Sequence, residues 1–185
     1  MKFTEFEPYL HQILALEFGD RDHEIQINST RLKEEMNARG MLHSTITLGN
    51  VADFLLAEFK ARCGLVAEHV VGKLAVLKPA DGSDKTSHGV PIFHSVATDQ
   101  LAHIEKTYDS IAGPISVPLQ SDMPAQIRQH LMQRMNDHRK KVELTVELEC
   151  KAADSMGTKE VFALRPTFYG VGIDLKELWK KFFPE

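Results

Sequence analysis

The chain has few cysteines, and their placement excludes several classes of protein. Its two cysteines, Cys63 and Cys150, both fall within apolar patterns, and it has one tryptophan. Isolated cysteines in apolar patterns are typical of buried, reduced thiols in a cytoplasmic protein. The cysteine spacing therefore gives no support to a disulfide framework or to a Cys-x-x-Cys site.

Long apolar runs and an excess of charge of one sign are missing as well. The 185 residues are 43% hydrophobic and 26% charged, with a net charge of -4. No apolar run approaches the roughly 18 residues that a membrane span needs. The first residues, 1–7, carry acids where a signal peptide carries bases. We therefore expect a cytoplasmic protein without a membrane span and without a general affinity for nucleic acid.

The common catalytic motifs are absent. The sequence contains no Gly-x-Ser-x-Gly, His-Glu-x-x-His or GxGxxG pattern. Without such a motif, no set of catalytic side chains is expected to converge. We predict no cofactor and no metal ligand set from the sequence.

A long apolar stripe over residues 48–78 is the strongest structural signal. Apolar side chains recur at steps of three and four: Val51, Leu55, Phe59, Cys63, Val66, Val70, Leu74 and Leu77. This spacing predicts one α-helix of about 45 Å, with Ser44 or Asn50 as its cap and Pro79 at its end. A helix of this length is seldom covered by its own chain alone, so a homo-oligomer is expected.

The remaining segments predict further helices around this one. A first amphipathic helix is expected to close near Gly19, and a second over about 21–39 to end at Gly40 and fold back antiparallel on the long helix. Residues 79–97 are rich in loop-forming residues and predict an exposed loop. Shorter helices are predicted over 101–111, ended by Gly113, and from Asp122 onward. The fold class is therefore all-α, a bundle of about five helices.

Residues 142–150 fit two structures. Val142, Val146 and Cys150 suit a helix, whereas strict alternation of apolar and polar residues over 142–150 suits a strand. The absence of a turn residue before Val142 favours a continued helix. A small β-hairpin over 142–164 stays open as the alternative.

The C-terminal segment is predicted to be a separate unit. We place the helical domain at 1–155, and an extended segment with a short terminal helix at 156–185. Over 174–183, apolar and aromatic residues lie opposite three lysines. We therefore predict that Trp179, Phe182 and Phe183 bind a partner surface: the protein's own core, another subunit or protein, or, less favoured, a membrane surface.

Nine histidines raise the question of a metal site. They form pairs only: Glu7 with His11, Asp99 with His103, and His130 with His138 on one helical face. A metal site in a protein needs three or four converging ligands. Solvated or hydrogen-bonded histidines are the favoured interpretation, and a metal- or small-ligand-binding bundle stays an alternative.

Arg62 and His69 lie about two turns apart on the long helix. This spacing resembles the Arg-x4-6-His signature of the HEPN ribonucleases, which are all-helical and pair such motifs in dimers. The resemblance implies metal-independent RNA cleavage, with the arginine stabilising phosphorane charge and the histidine moving a proton. RNA would then be the partner.

The absence of a convergent catalytic set decides the leading hypothesis. We predict a non-enzymatic, cytoplasmic helical protein that acts through protein–protein contacts as a scaffold or regulatory subunit. The alternatives are the HEPN-like ribonuclease using Arg62 and His69, and the ligand- or metal-binding bundle.

Overall fold

The computed structural model describes residues 3–76 and 84–155, and these ranges form four α-helices. They are α1 (Phe3–Ala38), α2 (Thr45–Val76), α3 (Lys85–Ser116) and α4 (Met123–Ser155). Each has 32 to 36 residues. At about 1.5 Å per residue, each is roughly 48–54 Å long. Because the described ranges contain no strand, the all-α prediction is confirmed for them.

α2 is the central helix of the bundle. It contacts α1, α3 and α4, and α3 also packs on α4, whereas α1 lies mainly against α2. Its apolar stripe is buried from Val51 to Leu74, with Leu55, Phe59, Val66 and Val70 all at 0% exposure, and Leu77 lies outside the described residues. The predicted helix over 48–78 is therefore close to the observed one, which begins three residues earlier. The prediction of a bundle built on one long helix is corrected, since all four described helices have similar lengths.

The turn between α1 and α2 has the predicted capping residues. Gly40 has a φ of 69°, and its amide donates to the Asn37 carbonyl at 2.9 Å. The Met41 amide donates to the Met36 carbonyl at 2.8 Å. These two bonds form a Schellman motif, which requires the left-handed conformation that glycine adopts readily. Ser44 then accepts a hydrogen bond from the Thr47 amide at the start of α2.

The predicted helix end at Gly19 is wrong, because α1 continues through it. Phe18 and Ile25 are both buried on the same side of α1, at 8% and 3% exposure. Continuing the helix places these residues on one buried stripe. Gly19 is exposed and has a helical rather than a left-handed backbone. Burial of the stripe outweighs the roughly 1 kcal/mol that a glycine costs inside a helix.

The predicted exposed loop over 79–97 is wrong from Lys85 onward. α3 begins there, capped by Asp84, whose side chain accepts a hydrogen bond from the Ser87 amide at 2.5 Å. Pro91 lies inside the helix and is exposed. Burial of Phe93 on the inner side offsets the hydrogen bond that this proline lacks. The predicted stop at Gly113 is also early, since α3 runs to Ser116.

Gly89 lets three helices approach closely. A Cβ atom on this residue would lie 2.7 Å from Leu74 Cδ1 and 2.8 Å from Cys150 Sγ. These distances are shorter than real Cβ contacts. The glycine therefore serves the packing of α3 against α2 and α4, and not a loop conformation.

α4 is a single helix from Met123 to Ser155, with Pro124 in its first turn as predicted. The favoured helical interpretation of 142–150 is confirmed, and the hairpin alternative is wrong over those residues. Val142 and Val146 are buried, whereas Leu144 and Leu148 are exposed. In a strand, all four would have shared one face.

The described residues form four helices, whereas about five were predicted for the whole chain. Two of the predicted helices are the two halves of α1. The predicted terminal helix over 174–183 lies outside the described residues. The boundary predicted at 155/156 stays a prediction.

Candidate functional site: buried ion pairs and exposed apolar faces

Arg62, a predicted catalytic residue, is buried in the bundle at 1% exposure. Its Nε donates to Glu58 Oε1 at 2.8 Å, its Nη1 to Gln100 Oε1 at 2.7 Å and its Nη2 to Asp22 Oδ1 at 2.5 Å. The guanidinium also lies 5.1 Å from the centre of the Phe18 ring, close enough for a cation–π interaction. All three nitrogens of this side chain therefore donate to groups on α1, α2 and α3.

The two carboxylates around Arg62 each hold a second partner. Glu58, also at 1% exposure, accepts a bidentate pair of hydrogen bonds from Arg21, at 2.7 and 2.8 Å. Asp22 contacts His103 Nε2 at 2.9 Å. We call Arg21, Asp22, Glu58, Arg62, Gln100 and His103 the buried polar network, after Glu58 and Arg62 at its centre; the other four residues are partly exposed. It joins α1, α2 and α3.

The buried polar network is balanced in charge. Two guanidiniums face two carboxylates, so no formal charge is left over when His103 is neutral. A buried ion contributes little net stability when paired, but removal of one partner leaves an uncompensated charge. The network therefore fixes how α1 sits on α2 and α3.

His69, the second predicted catalytic residue, is joined to α1. Its Nε2 lies 3.1 Å from both carboxylate oxygens of Glu17, and its side chain is 22% exposed. Arg62 lies seven residues earlier on α2, about 10 Å along the axis. Each residue is held by its own acidic partner on α1, and no hydrogen bond joins one to the other.

Sequence reasoning missed Glu58 and its partners. A signal was available, because Glu58 and Arg62 lie four residues apart within the most apolar helix of the chain. Such a pair on a core helix indicates buried, mutually compensating charges. The partners from α1 and α3 carry no comparable signal, because only the tertiary fold brings them together.

The predicted histidine pairs are present only in part. His11 lies 3.9 Å from Glu7, whereas His103 pairs with Asp22 of another helix and not with Asp99. His138 packs edge-on against Phe59, with 6.5 Å between ring centres.

The environment of His138 favours its neutral form. Burial lowers the pKa of His138 from 6.5 to about 4, with a further contribution from the cations Lys60 and Lys141. Its buried Nε2 has no hydrogen-bond partner within the described ranges.

In the described part of the chain, side chains do not converge on a metal site, and the two thiols are not activated as nucleophiles. No group of three or more His, Cys, Asp or Glu side chains converges there. Cys63 and Cys150 are free and buried, and burial raises their pKa values to about 12 and about 11. Both thiols are therefore protonated and inert near neutral pH.

α1 carries a second apolar stripe on its outer face, opposite the buried one. Leu16 is 76% exposed, Tyr9 40% and Ile27 39%, and Ile13 is half-buried between them. With Asp20 and His23, these residues follow steps of four and three, the spacing of a coiled-coil seam. We call residues 9, 13, 16, 20, 23 and 27 the outer stripe of α1.

α4 exposes a shorter apolar surface. Leu144 and Leu148 lie one turn apart and are 61% and 68% exposed. We call this pair the α4 ridge. It lies in the second half of α4, and the described residues end at Ser155.

The remaining predicted site residues, Trp179, Phe182 and Phe183, lie outside the described residues. None of the four described helices combines the length and apolar character needed to cross a membrane. In comparisons with known proteins, no family model, no curated protein and no solved structure matches the chain.

Proposed function

We propose that this chain is a non-enzymatic, cytoplasmic scaffold or regulatory subunit that acts through protein–protein contacts and assembles with a second copy through the outer stripe of α1. The outer stripe is the observation that carries the proposal. Leu16 at its centre is 76% exposed, on the side of α1 that faces away from the bundle. A large apolar side chain at coiled-coil spacing gains most from burial against another helix.

The order of residues along the outer stripe suits a second copy. In an antiparallel pairing, Ile13 of one copy packs against Leu16 of the other, and the twofold axis repeats the contact. The same register brings the Tyr9 hydroxyl opposite the Asp20 carboxylate, where it can donate a hydrogen bond. A twofold interface of this kind needs one self-complementary surface and no other partner.

The size of the outer stripe sets the expected affinity. In this register the contact runs over residues 9–20, which extend about 17 Å along the helix. A standard interface buries about 800 Å² on each partner, which is more than one helix face of this length supplies. We therefore expect a weak dimer, with a dissociation constant of about 1 μM or higher.

The HEPN-like ribonuclease remains an untested alternative. It requires Arg62 to exchange Glu58, Asp22 and Gln100 for a phosphate and to become accessible. The internal bonds of Arg62 support a structural role instead. RNA cleavage by the purified protein that is lost in His69→Ala would support the ribonuclease, and intact RNA would count against it.

The ligand-binding alternative rests on histidines. His11, His69, His94 and His103 each lie beside a carboxylate of one acidic residue, and His43 lies beside the Ile115 carbonyl. A native mass spectrum with an added metal or ligand mass would favour this alternative over the interaction module.

Cysteine cross-linking tests the proposed dimer and its direction. Ile13→Cys and Leu16→Cys are prepared separately and then mixed under oxidising conditions. The antiparallel register predicts a mixed disulfide that forms faster than either homodimeric one. Faster homodimeric disulfides in each separate variant would indicate a parallel pairing instead.

Two features of the chain make this experiment specific. The native Cys63 and Cys150 are buried and do not compete. Val117, 82% exposed at the end of α3, provides the control variant Val117→Cys. Equal cross-linking of the control would show random collision and contradict the proposed interface.

A further inference from the structure

The α4 ridge stands apart from both the bundle core and the outer stripe of α1. Leu144 and Leu148 expose 61% and 68% of their surface on the side of α4 opposite Val142 and Val146. Lys140, Lys141 and Lys151 surround the ridge in the helical projection, and their aliphatic stems extend the apolar surface. The ridge is therefore an apolar strip bordered by charge, a pattern typical of a docking surface.

We propose that the α4 ridge is the docking site of the chain's own C-terminal segment 174–183, which packs there with Trp179, Phe182 and Phe183. The apolar residues of this segment are Leu175, Leu178, Trp179, Phe182 and Phe183. They follow i, i+3, i+4, i+7, i+8, the spacing of a helix that is apolar on one side. Two such surfaces cover each other when they meet, as a helix does in an apolar groove.

The position of the ridge favours this occupant over a separate molecule. Residues 156–173, 18 by count, connect the end of α4 to the segment. A random coil of 18 residues would have an end-to-end distance of roughly 24 Å. Leu148 and Leu144 lie only about 10 and 16 Å back along α4 from Ser155. The connection is therefore long enough for the segment to reach both leucines and short enough to keep it near them.

The covalent connection also sets the effective concentration. A connection of this length would hold the segment near the ridge at an effective concentration in the millimolar range. A separate protein occupies the ridge in place of the segment only under one condition. The ratio of its free concentration to its dissociation constant must exceed the ratio of the segment's effective concentration to the segment's own dissociation constant. The segment consequently covers the ridge in the isolated chain, and it can be displaced by a partner that binds the ridge tightly.

Trp179 provides a direct probe, because it is the only tryptophan in the chain. In dilute full-length protein, docking predicts blue-shifted emission and protection from acrylamide. The variant Leu144→Gln with Leu148→Gln should shift the emission to that of indole in water and raise the quenching constant several-fold. The single variant Leu148→Gln should give an intermediate value. Both leucines are exposed, so the melting of far-UV circular dichroism should stay close to that of the wild type.

The matched control lies on the other exposed apolar face. Leu16→Gln with Ile27→Gln removes a comparable apolar surface from α1, and it should leave Trp179 protected even if dimers dissociate. The experiment therefore distinguishes failure of the docking proposal from failure of the proposed dimer. Wild-type Trp179 that is freely quenched would overturn the docking proposal. So would protection that the ridge substitutions leave unchanged, or protection that rises with protein concentration, which would indicate a second copy.

Discussion

Glu58 and Arg62 lie one turn apart on α2, both at 1% exposure, with Arg62 Nε donating to Glu58 Oε1 at 2.8 Å. The pair is completed from outside α2: Arg21 binds Glu58, and Asp22 binds Arg62. Adjacent residues of α1 thus carry the two opposite charges that the α2 pair requires. A shift of α1 by one residue would place like charges together, so this relationship fixes the register of α1.

Loss of Arg62 should be strongly destabilising. In Arg62→Met the side-chain volume is largely kept, but buried Glu58 and partly exposed Asp22 lose their shared cation. Removal of one partner of a buried pair costs about 3–5 kcal/mol, and we expect the lower end because Glu58 keeps Arg21. The measurement is urea unfolding followed by circular dichroism. Arg134→Met is the control, because Arg134 forms an exposed pair with Asp53 and should cost less than about 1 kcal/mol. Equal costs in the two variants would contradict the structural role of the network.

Substitution of Gly89 should destabilise the contact between α2, α3 and α4. An added Cβ forces Leu74 and Cys150 apart, which costs about 1–3 kcal/mol, partly offset by up to about 1 kcal/mol of helix propensity. We therefore expect Gly89→Ala to lower the melting temperature. Gly64→Ala is the matched control, because a Cβ atom there meets nothing within 4 Å. It should raise the melting temperature, and a rise in both variants would refute the close packing.

The pKa of His138 predicts that stability falls in mildly acidic solution. Burial and the neighbouring cations lower this pKa from 6.5 to about 4 in the folded protein. Between these two values the unfolded chain binds more protons, so the free energy of unfolding decreases as the pH falls.

Replacement of His138 isolates that contribution. Between about pH 7 and pH 5, the wild type should lose about 1 kcal/mol more than His138→Gln, a figure reduced for the half-buried position of the ring. Urea unfolding at the two pH values gives the difference. His130→Gln, on the exposed side of α4, is the control. A slope with pH that His138→Gln leaves intact would disprove the assignment.

The two thiols should be unreactive until the protein unfolds. Burial raises the pKa of Cys63 to about 12 and that of Cys150 to about 11, so almost no thiolate forms near neutral pH. Ellman's reagent should therefore label neither cysteine in the native protein and both in denaturant. Rapid labelling of the native protein would show that the core opens around them.

The parts of the fold that follow from local spacing could be predicted from the sequence. The α2 stripe and the Gly40 turn depend on residues close together in the chain, so their patterns are visible there. Gly19 and Gly89 were misinterpreted because a glycine carries no side chain that reports its environment. Gly19 is tolerated because its neighbours on α1 are buried, and Gly89 is required by residues of two other helices.

In the candidate site too, features set by local spacing could be predicted from the sequence, and those set by tertiary contacts could not. Arg62 was singled out from its spacing to His69, but its bonds to Asp22 and Gln100 depend on tertiary contacts across about 40 positions of sequence. The outer stripe of α1 was hidden because α1 was interpreted as two helices, which broke the stripe at Gly19. Leu144 and Leu148 share a face with Val142 and Val146 only in the strand pattern, whereas the helical stripe of Val142, Val146 and Cys150 leaves them outside it. The structure shows that they are exposed.

The proposed assembly through α1 is tested most directly by native mass spectrometry of the wild type and of Leu16→Lys over a concentration series. Leu16 is exposed in the single chain, so the lysine variant should fold and melt like the wild type. The account predicts that the wild type shifts from monomer to dimer as the concentration rises through the micromolar range, with no added mass, and that Leu16→Lys stays monomeric. A wild type that is monomeric at every concentration, or a dimer that persists in Leu16→Lys, would contradict it.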